Sequence, residues 1–152
     1  MALTKVRSAG FTAGAVLQIV QVHKVDSFSS TASSATDITG LTVSITPQST
    51  SNKVFVTLSM YISYQDSLMV RLLRDSTEIG SGTSGSAHNG FAFIRQSESG
   101  FIEHAGIQYL DSPSSTSSLT YKIQILSGIN TVYFSCPHHL NECGITLMEV
   151  LA

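Results

Sequence analysis

Cysteine and histidine are the side chains best suited to holding a transition metal, and this chain brings four of them into one short stretch: Cys136, His138, His139 and Cys143 in CPHHLNEC. Two thiolates and two imidazoles would suit tetrahedral zinc. The separations match no standard zinc pattern, and Pro137 constrains the loop that carries them. Three readings of the stretch stand side by side: a loop with two reduced thiols, a disulfide between Cys136 and Cys143 if their Cα atoms approach, and a metal site. The loop reading leads, and no cofactor is expected. Two cysteines make no disulfide framework, and so low a content fits assembly in a reducing cytosol.

Other groups capable of chemistry are scattered. Gly80, Gly82 and Gly85 formally spell G-x-G-x-x-G, but the residues after them start no helix, and a dinucleotide site needs the motif between a strand and a helix. There is no G-x-S-x-G nucleophile elbow. Glu98, Glu103, Glu142 and Glu149 provide no recognisable glycosidase pair, because that chemistry is defined by the separation of two carboxylates. Glu103 and His104 are neighbours on a strand and so face opposite sides. Arg71, Arg74 and Arg95 serve ion pairs as readily as ligands, and the five tyrosines fall on strands, where packing is their default use. The expectation is a protein that is not an enzyme. The nearest catalytic alternative is a carbohydrate-active enzyme using Glu98, Glu103 or Glu142.

The elements that would position these groups are strands. In KVFVTLSMYISY, residues 53–64, Val54, Val56, Leu58, Met60, Ile62 and Tyr64 alternate with Lys53, Phe55, Thr57, Ser59, Tyr61 and Ser63, which gives a long strand with one strongly apolar face. A two-stranded hairpin is too thin to bury it. Shorter strands obey the same logic at 15–25, 36–45, 67–74, 77–79, 119–126, 131–135 and 145–151, with 91–96 and 101–110 reading as a further strand pair around 97–100. Ser-, Gly-, Pro- and Asn-rich segments at 26–35, 46–52, 80–90, 111–118 and 136–144 read as loops. No stretch carries a sustained 3.6-residue stripe, so the pattern predicts an all-β sandwich or barrel.

At 152 residues the chain suits one domain with a real core. Only 12% of residues are charged, while Ser and Thr make up roughly a quarter, so the surface is polar through hydroxyls more than through charge. A net charge of -2 gives no electrostatic reason to expect nucleic acid or an anionic membrane as partner. No apolar run approaches the ~20 residues of a spanning helix. Lys5 and Arg7 precede an apolar patch at 13–22, but Gly14, Gln18 and Gln21 interrupt it, so a cleaved signal is not expected.

Several phrases resemble a family of small β-domains coded by tailed bacteriophages: the opening MALTKV with AVLQIVQ, the central TDITGLTVSITPQSTSNKVFV, then RLLRDSTEIG, YLDSPSSTSSLTYKIQ and the closing ITLMEV. Together they cover most of the chain from Ala15 onward. The resemblance implies an antiparallel jelly-roll sandwich, similar to the C1q and tumour-necrosis-factor heads, that forms homotrimers on the virion surface and is assembled in the host cytoplasm. It divides the chain into an arm, residues 1–14, and a single jelly-roll domain, residues 15–152. Members resemble capsid decoration proteins and the heads of tail fibres. The short arm here favours a decoration, or cement, protein docked on the major capsid protein, with Leu3, Lys5, Val6, Arg7 and Phe11 as candidate docking residues. The alternative is a receptor-binding head on a tail fibre or spike, attached to a tail or baseplate protein and meeting a host surface glycan or protein through loops 26–35, 80–90 and 136–144.

Apolar groups on both faces of strands 15–25, 53–64 and 145–151 point to a subunit interface, because one sandwich fills only one interior. Phe55, Tyr61, Val20, Val22 and Met148 are the interface candidates.

Overall fold

The computed structural model describes residues 10, 12–31, 34–63, 66–81, 90–96, 103–127, 131–134 and 143–152. Among them the chain is all-β, with eleven strands and no helix. The strands are β1 (Val16–Lys24), β2 (Phe28–Ser30), β3 (Thr36–Ile45), β4 (Lys53–Ser63), β5 (Asp66–Arg74) and β6 (Thr77–Ile79), then β7 (Ala92–Gln96), β8 (Glu103–Asp111), β9 (Leu119–Ser127), β10 (Val132–Phe134) and β11 (Cys143–Val150). Every pairing among these strands is antiparallel, and they form two sheets.

The first sheet runs β1-β11-β4, with β8 on the other edge of β4. Beyond the end of β11, β10 pairs with Ile62 and Ser63 of β4, and β2 pairs with β10. The second sheet runs β3-β9-β5, and the far edge of β5 is shared by β7 along Asp66–Val70 and β6 along Leu72–Arg74. The two ends of the described chain are tied together: Gly14 N donates to Leu151 O at 2.7 Å, and Leu151 N donates to Ala15 O at 2.9 Å.

The core lies between the sheets, and the alternation along β4 explains its position. Val54, Val56, Leu58, Met60 and Ile62 are all buried on the inner face. They meet Leu68, Val70 and Leu72 of β5, with Ile123 and Ile125 of β9, in one cluster. Each such side chain contributes roughly 1.5–3 kcal/mol by leaving water.

Two irregularities set which side chains reach that core. β1 carries a bulge between Val16 and Gln18. A bulge inserts one extra residue, so every later side chain on the strand falls on the opposite face. Leu17 and Gln18 are therefore both buried, and Val20 and Val22 pack inward against the core cluster. β3 shifts register between Asp37 and Thr42, around Gly40 at φ +88°, a backbone region that glycine enters without strain. The stem of the buried Lys24 lies over this glycine, and its Nζ is 2.8 Å from Asp26 Oδ1.

Three expectations change here. The segment 26–35 reads in sequence as loop only, yet Phe28–Ser30 forms β2, because β10 supplies it with ladder partners that a local reading cannot see. The expected pair 91–96 and 101–110 is separated: among the described residues β7 joins β5 in the second sheet and β8 joins β4 in the first. The last strand begins at Cys143, two residues earlier than the pattern gives, through pairing of Cys143 and Gly144 with Lys24 and His23.

Candidate functional site

The outer face of the first sheet is built by register. Ile19 pairs with Met148, Met148 with Phe55, and Phe55 with Leu110, so four apolar side chains form one row across β1, β11, β4 and β8. Directly paired residues share a face. Ile19 is 46% exposed and Leu110 51%, while Met148 and Phe55 between them are half-buried by their neighbours. Val16, itself exposed, pairs with Val150, and the two extend the apolar area toward the strand ends, where Lys53, paired with Val150, ends it with a charge.

One step along the strands the chemistry changes. Gln21, Thr146, Thr57 and Gln108 form the next outward row, and His23, Gly144, Ser59 and Gly106 the one after. Tyr61 then pairs with His104, their ring centroids 4.8 Å apart, and Ser59 Oγ is 2.9 Å from His104 Nε2. The face thus has an apolar end and a neutral polar end with an aromatic border.

The interface candidates divide accordingly. Phe55, Met148 and Tyr61 lie on this outer face. Val20 and Val22 do not: the β1 bulge turns them inward, and Ile19 takes the outward place beside Met148. Simple alternation from Val16 misses this because it assumes an unbroken period of two.

The arm candidates Leu3, Lys5, Val6, Arg7 and Phe11 lie outside the described residues, as do Cys136, His138 and His139. Cys143 is buried on the inner face of β11, and its Sγ is 3.5 Å from the Tyr61 backbone nitrogen. Among the described residues, no three His, Cys, Asp or Glu side chains converge in a way that would hold a metal ion.

The described carboxylates are committed to structure. Glu149 is fully buried and accepts from Gln18 Nε2 at 2.5 Å, Gln48 N at 2.6 Å and Asn52 Nδ2 at 2.6 Å. Gln18 Nε2 also reaches Thr46 O at 2.8 Å, so the turn before β4 is fastened to both β1 and β11. Asp111 accepts Arg74 Nη1 through both oxygens, at 2.9 and 2.7 Å, and the Tyr121 hydroxyl at 2.6 Å. Burial pushes the Tyr121 phenol far above its ordinary range, and its hydrogen bond to Asp111 acts in the same direction. Asp37 accepts Lys122 Nζ at 2.8 Å and Gln124 Nε2 at 2.6 Å, which hold its carboxyl below the usual range. Glu98 and Glu142, and the side chain of Glu103, lie outside the described residues.

The polar lock around Glu149 escapes a reading of the sequence, although ITLMEV places Glu149 in phase with the buried Ile145 and Leu147. An acid on the apolar phase of a strand demands donors, and Gln18, Gln48 and Asn52 supply them. No protein-family model matches the chain, and no curated protein matches it.

Proposed function

We propose that this chain is a non-enzymatic structural protein of a tailed-bacteriophage virion surface, a homotrimeric jelly-roll that decorates and cements the capsid. Two observations support the family and its architecture. The phrases from AVLQIVQ to ITLMEV resemble that family. The eight longer strands run in the order β1-β11-β4-β8 in one sheet and β3-β9-β5-β7 in the other, which is how two interleaved Greek keys are laid out in a jelly-roll, an architecture frequent in viral capsid and lectin domains.

The observation that carries self-association is the outward row Ile19–Met148–Phe55–Leu110. A sandwich has no interior of its own for a second apolar face, and burying this row against copies of the same chain removes an aggregation liability. The mixed surface, low in charge and rich in hydroxyls, offers little repulsion between subunits.

Location on the particle tests the function. Labelling intact virions against this chain should decorate the head, and virions lacking it should lose their capsids at lower temperature than the parent. Label confined to the tail tip, with normal head stability and lost adsorption, would instead establish the tail-fibre reading. Light scattering of the purified chain tests the trimer separately, and a monomeric mass at micromolar concentration would refute it.

A further inference from the structure

The polar end of the outer face contains a depression of about 340 Å³, lined by Gln21, His23, Thr57, Ser59, Gly144 and Thr146, with Leu58 of β4 between Thr57 and Ser59. Its cause is legible in the register. In the row His23–Gly144–Ser59–Gly106, two of the four positions have no side chain and a third has only a hydroxymethyl group. At Gly106 a Cβ would have nothing nearer than His104 Cε1 at 4.0 Å, so the sheet is open above it. The volume falls at the lower end of the range for small-molecule pockets, about 300–1,000 Å³.

The chemistry of the walls is narrow. Among the described residues no Asp, Glu, Lys or Arg lines the depression, so they offer an anion no lysine or arginine and a metal ion no carboxylate. The side chain of Leu58 is buried in the core, and the lining surface is divided about evenly between polar and apolar atoms, which suits a ligand that is itself mixed in polarity. What remains is an amide, three hydroxyls and an imidazole, groups that both donate and accept. Beyond their backbone ladder bonds, the side chains of Gln21, Thr57 and Thr146 make no hydrogen bond to another described residue, so their side-chain capacity is available. At the next outward position on β4, about 6.7 Å along the strand, stand the paired rings of Tyr61 and His104, with the imidazole 2.9 Å from Ser59 Oγ.

We infer that this trough is a binding site for a neutral saccharide of one or two units. Each sugar hydroxyl is both donor and acceptor, which matches Gln21, Thr57, Ser59 and Thr146, and the apolar face of a pyranose fits against the Tyr61–His104 border. Gly144 is the specificity-determining position, because any side chain there would fill the floor: its Cβ would already sit 3.3 Å from Val22 O and 3.8 Å from His23 Nδ1. The inference does not depend on a virion location, but it requires that a subunit contact through Phe55 and Met148, one row away on the same face, leave Thr57, Ser59 and Gly144 open.

The test is amide chemical-shift mapping on the full chain, titrated with glucose, galactose, mannose, N-acetylglucosamine and their β-linked dimers. At least one of these should produce saturable shifts in the millimolar range at Thr57, Ser59, Gly144 and Thr146. Thr57→Val and Gln21→Leu, both on the solvent side of the sheet, should each weaken that binding tenfold or more while leaving the melting temperature and the remaining spectrum unchanged. Absence of saturable shifts with every sugar would overturn the inference. Shifts that map elsewhere, or that survive both substitutions undiminished, would also overturn it, as would burial of Thr57 and Thr146 between subunits in the assembled protein.

Discussion

The Tyr121 hydroxyl donates to Asp111 Oδ2 over 2.6 Å, and this bond joins the two sheets, since Tyr121 belongs to β9 and Asp111 to the last position of β8. Arg74 of β5 completes the clasp from the second sheet with two contacts to the same carboxylate. Tyr121→Phe removes one hydrogen bond to a charged group and should cost about 1.5–3 kcal/mol. Asp111→Ala leaves the guanidinium and the buried phenol without an acceptor and should cost about 3 kcal/mol or more. Urea denaturation reads both as lower midpoints at unchanged slope.

The same clasp predicts an alkaline limit. The folded-state pKa of Tyr121 is raised by burial and by Asp111. The neutral phenol therefore contributes stability that is complete below the unfolded value, about 10, and is lost as pH rises above it. Asp37 acts at the other end: its folded pKa is depressed by Lys122 and Gln124, so its contribution is present above about 4 and is lost as pH falls below that. Melting temperatures across pH should show a plateau between these limits, and Tyr121→Phe should flatten the alkaline limb alone.

Glu149 holds the turn before β4 through oxygens that differ in duty. Oε1 accepts both Gln48 N and Asn52 Nδ2, and Oε2 accepts Gln18 Nε2. Glu149→Ala strands three donors in a buried site and should cost about 3 kcal/mol or more. Glu149→Gln can keep the Oε1 bonds, but its amide nitrogen would face Gln18 Nε2, which is also fixed by Thr46 O, so about 1–2 kcal/mol should be lost. Equal destabilisation by the two substitutions would contradict this division.

Glycine positions separate by the space around them. A Cβ at Gly90 would meet Met69 Cγ at 2.5 Å and Val70 O at 3.0 Å. At Gly80 it would meet Phe91 Cδ2 at 2.5 Å, on a backbone at φ +74° that disfavours side chains. Gly90→Ala and Gly80→Ala should each cost about 1–3 kcal/mol, and Gly106→Ala, in open space, clearly less. Thermal melts of the three variants rank them directly.

Phe55 sits mid-row between Met148 and Leu110 on the outer face. Phe55→Ser should shift the proposed trimer toward monomer, raising the concentration for half-assembly tenfold or more, and should also cost the monomer about 1 kcal/mol because the ring is half-buried between its neighbours. A mass unaltered by the substitution refutes this surface as the subunit interface. Val20→Ser tests the converse: facing the core, it should lower stability and leave assembly to Phe55 and Met148.

Local patterning is enough to define the longer strands and their core face. The period of two from Val54 to Ile62 needs no partner to be read, because alternation is a property of one extended chain. The partners were not legible. β2 exists because β10 pairs with it, and β7 and β8 separate into opposite sheets although only residues 97–102 lie between them. The β1 bulge exchanged Val20 and Val22 for Ile19 on the outer face, a one-residue event that alternation cannot foresee. Both the apolar row through Phe55 and the trough over Gly144 arise from cross-strand register among β1, β11, β4 and β8. Those strands lie far apart in the chain, so which side chains become neighbours was decided only when the sheets formed.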